Sequence, residues 1–161
     1  MTLRSTLLPL FGLFLIACGS SQSRIDRIKE QSKIESTAQA ASDVPASARI
    51  TLKDKGVGSI KDLPLPETID QAMVDRGAAI FETNCSACHK IEKRFIGPSP
   101  KGIMTRRSPE WIMNMILDPQ LMVEQDRCAK DMLIEFNGAA MANQNMTEEQ
   151  ARDILEYFRT L

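Results

Sequence analysis

Apolar and polar positions change regime along this chain. From Leu7 to Ala17 the residues are apolar, broken only by Pro9 and Gly12. That run is about eleven residues long, where a membrane-crossing helix needs about 20. With Arg4 ahead of it, it reads as the h-region of a secretory signal. From Ser20 to about Leu65 no apolar stripe is long enough to fold alone. Serines give way to the mixed charges of Arg24 to Glu35, then to an Ala/Ser-rich stretch, with Pro45, Pro64 and Pro66 as punctuation. This pattern predicts a flexible tether. Within it Arg24 to Ala41 has workable spacing for a solvated helix. Gly56 and Gly58 mark a specific turn where Lys55 to Lys61 packs on the edge of the domain that follows.

Helical signals begin after that. Ser108 caps a helix with Pro109 in its first turn, ending near Asp118-Pro119. Asp126 to Phe136 reads as another, closed by Asn137-Gly138. Thr147 and Gln150 form a capping box, Glu148 and Glu149 suit the dipole, and Ile154, Leu155, Tyr157 and Phe158 supply one apolar face. No strand is convincing. The expected organisation is a signal over 1–17, a tether over 18–66 and an all-α domain over 67–161.

Composition changes little in this picture. Of 161 residues, 43% are apolar and 25% charged, and a net charge of −1 gives no reason to expect nucleic acid as a partner. Four cysteines, one histidine and nine methionines are more informative. A secreted disulfide scaffold carries more cysteine in a shorter chain. Any metal chemistry has a single imidazole, His89.

That histidine closes the strongest motif, Cys85-Ser86-Ala87-Cys88-His89. On a helical turn all three chemical residues project from one side. Two thiols so spaced can add to the two vinyl groups of a porphyrin, with the imidazole beneath the ring, the pattern of c-type haem attachment. A zinc site would have to recruit Cys128 or a carboxylate. A thioredoxin-like pair wants a βαβ context, which the pattern lacks. A structural disulfide leaves the adjacent histidine unexplained.

Over roughly Asp70 to Leu161 the sequence resembles class I cytochromes c. The resemblance implies four to five helices around one covalently attached haem c, held by Cys85 and Cys88 and ligated by His89. It places a first helix at Asp70 to Phe81, whose Gly77 lets the last helix cross closely while Phe81 packs at the crossing. Gly97-Pro98 matches the position whose carbonyl orients the ligating histidine. Pro100 stands where a leucine is common. Met141, in the loop before the last helix, matches the sixth iron ligand, although Ala142 stands where a proline often follows. Met104 is the second candidate. Met113, Met115, Met122, Met132 and Met146 read as core.

Leu15-Ile16-Ala17-Cys18-Gly19-Ser20 resembles the lipobox of bacterial lipoproteins. This implies lipidation at Cys18 and a membrane anchor in the periplasm or cell envelope, Gly19 favouring the outer membrane or an outward-facing location. An ordinary signal with an incidental cysteine is the alternative.

The function implied is outer-sphere transfer of single electrons between respiratory redox proteins met transiently, with no small-molecule substrate and no catalysis of its own. The run Arg106 to Leu117 is similar to cytochromes accompanying nitrous oxide reductase. The alternative function is a haem enzyme or gas sensor with an open sixth position, for which no distal histidine remains. Cys128 reads as a buried free thiol. Trp111 either packs on the haem, reaches a propionate or is plain core. Arg106 and Arg107 pair with propionates or face solvent. Lys90 to Arg107 holds six basic residues against Glu92, a segment suited to steering an acidic partner.

Overall fold

The computed structural model describes residues 44–161. The signal, Cys18 and the solvated helix expected at Arg24 to Ala41 lie outside them. Five α-helices follow one another: α1 Gln71–Asn84, α2 Pro109–Leu117, α3 Pro119–Gln125, α4 Arg127–Glu135 and α5 Glu148–Phe158. The described residues contain no strand, only an isolated bridge between Thr51 and Arg107.

Each helix starts where a side chain satisfies its first free amides. Asp70 accepts from Ala72 N at 2.9 Å and Met73 N at 3.1 Å to open α1. Ser108 accepts from Trp111 N at 3.1 Å, with Pro109 supplying the preset φ of the first turn of α2. The capping box of α5 is complete: Gln150 N donates to Thr147 Oγ1 at 3.2 Å and Thr147 N to Gln150 Oε1 at 3.0 Å. Asp118-Pro119 was expected as a stop and proves to be a corner. Asp118 ends α2, and its carboxylate accepts from Leu121 N at 3.0 Å, so α3 starts at once.

Helices α1 and α5 cross at Gly77. A Cβ there would lie 2.1 Å from the carbonyl oxygen of Asp153, so only glycine lets the two backbones touch. Phe81 packs one turn on, its ring centroid 5.8 Å from Tyr157 and 5.9 Å from Phe158. Beside the crossing, Arg76 holds Asp153 with two bonds of 2.8 Å. Glu156 of α5, fully buried, accepts from Asp70 N at 3.0 Å, Arg152 at 2.6 Å and Arg159 at 2.7 Å.

The tether expected over 18–66 does not hold for its last part. Residues 44–66 form a strap bound along the helices. Ser47 N donates to Glu135 Oε2 at 2.8 Å, and Arg49 pairs with Asp131, both on α4. The turn at Gly56 to Gly58 is present and points Val57 N at the Met122 sulfur, 3.1 Å away. Asn114 of α2 serves the strap as a backbone surrogate, accepting from Ile60 N at 3.0 Å and donating to Lys55 O at 3.0 Å and Ile60 O at 2.9 Å. Val57, Ile60, Leu63 and Leu65 pack on the core without regular spacing, which is why no stripe announced them.

Arg107 is the clamp of this strap, and neither solvent nor a propionate is its partner. It is 2% exposed and donates to the carbonyls of Ala46 and Arg49 while its guanidinium lies 5.1 Å from the Trp111 ring centroid. Arg106 is also spent on backbone, donating to Lys101 O and Gly102 O at 3.0 Å. Leaving a buried acceptor without its donor costs about 1–3 kcal/mol. Arg107→Ala should therefore lower stability by a few kcal/mol and release residues 44–54 to limited proteolysis, whereas Arg106→Ala should leave the strap protected.

Candidate functional site

Between α1, α2, α4 and α5 lies an open apolar cavity of about 200 Å³. Phe81, Ile112, Ile116, Leu133, Phe136 and Ile154 are among its apolar wall residues, and Cys85, Cys88 and His89 stand on it together. The last turn of α1 and the turn after it make this possible, since His89 N donates to Cys85 O at 2.9 Å and keeps the motif helical. Burial pushes the Cys85 thiol above its ordinary value, with Cys88 adding to it.

His89 is held in one orientation. Its Nδ1 is 2.8 Å from the Pro98 carbonyl oxygen, which makes Nδ1 the protonated nitrogen and leaves Nε2 with a free lone pair. Gly97 makes the approach possible, for a Cβ there would sit 2.5 Å from His89 Cε1. Gly97 N in turn donates to Cys88 O at 2.9 Å. Pro100, where a leucine is common, is buried and its carbonyl accepts from Ile103 N at 2.9 Å, so the exchange is absorbed in a tight turn.

Three methionines line the same cavity: Met115, Met132 and Met141. The core reading therefore fails in part for Met115 and Met132, which face the void, while Met113 and Met122 are buried as expected. The Met132 sulfur is 3.7 Å from Arg107 Nη2 and accepts from it. Met141 comes from the loop between α4 and α5, flanked by Ala139, Ala140 and Ala142 on the cavity wall. Met104 packs against the core but does not line the cavity.

Cys85, Cys88, His89 and the apolar wall around them fit a flat apolar macrocycle fixed at one edge by two thiols and at its centre by an imidazole. The family model that matches residues 74–161, more than half of the chain, is that of cytochrome c. The chain belongs to the cytochrome c family. More closely it is a class I monohaem c-type cytochrome, all-α, whose cofactor is one covalently attached haem c. Its relatives include a cytochrome c-553-like protein of Synechocystis, 45% identical over 47 residues, which are 29% of this chain and 45% of that protein. The matched segment thus spans less than half the length of that curated relative. A solved cytochrome c from Rhodothermus marinus is 41% identical, with a TM-score of 0.62 over 64% of this cytochrome and 88% of that chain. An engineered form of the Rhodothermus protein, bound to a carbene intermediate, is 40% identical with a TM-score of 0.59 over 64% and 88%.

Two features of the site had no signal in the sequence. Trp111 of this cytochrome lines the cavity, yet its Nε1 turns away from it and donates to Asp126 Oδ1 at 3.1 Å. It is therefore wall and not a propionate ligand. Asp126 itself is 6% exposed and also caps α4, accepting from Ala129 N at 2.7 Å. Cys128 is buried and free, its thiol pushed up by burial.

Proposed function

We propose that this haem electron carrier is attached by thioethers at Cys85 and Cys88, ligated by His89 and Met141, and held at a membrane by lipid on Cys18 while it shuttles electrons between respiratory proteins outside the cytoplasm. The observation that carries the ligand set is the His89–Pro98 bond, which leaves Nε2 as the free nitrogen on a cavity that Met141 also lines. When bound, haem c supplies one-electron chemistry through iron that alternates between ferrous and ferric states. The chain's part is to keep water out with an almost wholly carbon wall, to fix the imidazole and to offer a sulfur in place of an open position. Cys18 lies outside the described residues, and among those described no helix is long and apolar enough to cross a membrane. The lipid anchor accordingly rests on the lipobox pattern and on the extracytoplasmic habit of the family.

Docking of a partner is narrower than the six basic residues of Lys90 to Arg107 suggested. Arg106 and Arg107 are bonded to backbone carbonyls, Arg94 pairs with Glu135 at 2.9 Å, and Lys101 pairs with Glu92 at 2.5 Å. Lys90 and Lys93 remain beside the exposed Phe95 and Ile96, and Lys90 Nζ lies 5.3 Å from the Phe95 ring centroid. A small apolar spot with a modest positive rim suits a transient encounter.

Met141→Ala tests the reading. The parent should show a six-coordinate c-type spectrum with the near-infrared methionine–iron band and no response to carbon monoxide. The variant should lose that band and bind carbon monoxide. A parent that binds carbon monoxide readily, or a band indifferent to Met141, would favour the enzyme or sensor alternative.

A further inference from the structure

Behind the Trp111 wall lies a pair of carboxylic acids that haem attachment does not use. Asp126 is 6% exposed, and the Asp54 carboxyl of the strap is close enough to act on its charge. Asp54 is fixed there, its Oδ1 accepting from Gly56 N at 2.9 Å and its carbonyl from Ser108 Oγ at 2.5 Å. One indole separates the pair from the cavity, and its N–H is bonded to Asp126.

We propose that Asp126, with Asp54 against it, is a redox-linked proton site, taking up one proton as the haem in the cavity is reduced and releasing it on oxidation. The charges balance: one electron in with one proton in, one electron out with one proton out. Two adjacent carboxylates ionise together only at a cost, so they favour sharing a proton. Oxidation adds a positive charge to the cavity, and across a low-dielectric wall that charge opposes the proton.

Among the described residues, no basic side chain around the pair is hydrogen-bonded to either carboxylate. From the strap, Lys55 turns instead to Asp62 at 3.1 Å and Glu110 at 3.2 Å, and Arg49 to Asp131. From α2 comes the uncharged Trp111 N–H, and from the residue before its cap the Arg107 guanidinium, which donates to the Ala46 and Arg49 carbonyls. From α3 comes the Met122 carbonyl, accepting from Asp126 N at 2.8 Å, with Glu124 exposed. On α4 itself lie the Ala129 N–H and the Cys128 thiol, with Arg127 and Lys130 exposed. Burial first, then the Asp54 carboxylate, push Asp126 above its ordinary value, against the opposing pull of the Ala129 and Trp111 N–H bonds. The window therefore opens above the usual carboxylate pKa of about 4.

The inference rests on haem occupying this cavity; partner and location have no part in it. The test is the midpoint potential of the haem-loaded full chain by spectroelectrochemistry between about pH 4 and pH 8, with redox-difference infrared spectra. The potential should fall as pH rises through the window, a tenfold difference in proton affinity between the two states amounting to about 59 mV for one electron. Asp126→Asn keeps an acceptor for both N–H groups and should flatten the curve there. Asp54→Asn should move the window to lower pH. A protonated-carboxyl band should appear on reduction and vanish in Asp126→Asn. A slope unchanged in both variants, or no slope in the parent, overturns the proposal. Should Asp126→Asn fail to take up haem, an unshifted window in Asp54→Asn overturns it alone. A chain without a c-type spectrum fails the haem assignment first, and is thereby told apart.

Discussion

Gly77→Ala should abolish the folded, haem-loaded protein. Helix propensity alone forecasts the opposite, since alanine in a helix interior is favoured over glycine by about 1 kcal/mol. The crossing decides. The new Cβ would lie 2.1 Å from Asp153 O, 2.5 Å from Asp153 C and 3.0 Å from Ile154 N, all of them backbone. No rotamer change relieves such a contact, so α1 and α5 must separate. Separation unpacks Phe81 from Tyr157 and Phe158 and opens the cavity wall they share. Overpacking a core costs about 1–3 kcal/mol even where side chains can move, and here they cannot absorb it. The check is the yield of covalent haem together with far-ultraviolet circular dichroism of the purified chain. A variant that melts at or above the parent temperature would show that the helices do not touch at Gly77.

Glu156→Ala should be nearly as damaging, by about 3–5 kcal/mol, the usual cost of removing one partner from a buried ionic group. Arg152 and Arg159, whose side chains are 17% and 12% exposed, would face no anion, and Asp70 N would lose its acceptor at the start of α1. The same cluster gives a pH signature. Burial acts to raise the Glu156 pKa, but Arg159, the Asp70 N–H and Arg152 outweigh it and hold it below its ordinary value. A depressed folded pKa contributes stability that is present above the unfolded value of about 4.3 and is lost as pH falls through the folded one. Chemical denaturation at neutral pH and again near pH 3 should therefore show the gap between parent and Glu156→Gln closing in acid. A gap constant with pH would mean that Glu156 is not ionised in the fold.

What could be read from the chain depended on whether a feature is local. Ser108-Pro109, Thr147 with Gln150, and Asn137-Gly138 act within a few residues, so those helix ends fell where expected. The spacing of Cys85, Cys88 and His89 is local too, and so is the Gly97-Pro98 turn that meets the histidine. Helix α3 was missed because Asp118-Pro119 carries both a stop and a start, and only the stop was read. The strap was missed for a different reason. Its backbone is satisfied by Asn114, Arg107 and Glu110, residues about fifty positions away, and nothing in residues 44–66 advertises partners at that distance. Asp126 likewise stood out only as the first residue of an expected helix. Its second bond, to Trp111, exists only once α2 and α4 have packed.

The strap also ties the start of the described residues to their end. It precedes the helices in the chain, yet its anchors come late: Ser47 waits for Glu135, 88 positions on, and Pro66 for Arg159, 93 positions on. The helix crossing closes loops of similar length, 77 positions from Arg76 to Asp153 and 86 from Asp70 to Glu156, so the two close at comparable loop entropy. Every residue on the cavity wall lies between Phe81 and Phe158. The pocket is therefore encoded wholly within the interval that the strap spans, and the strap fastens over the outside without adding a residue to its wall.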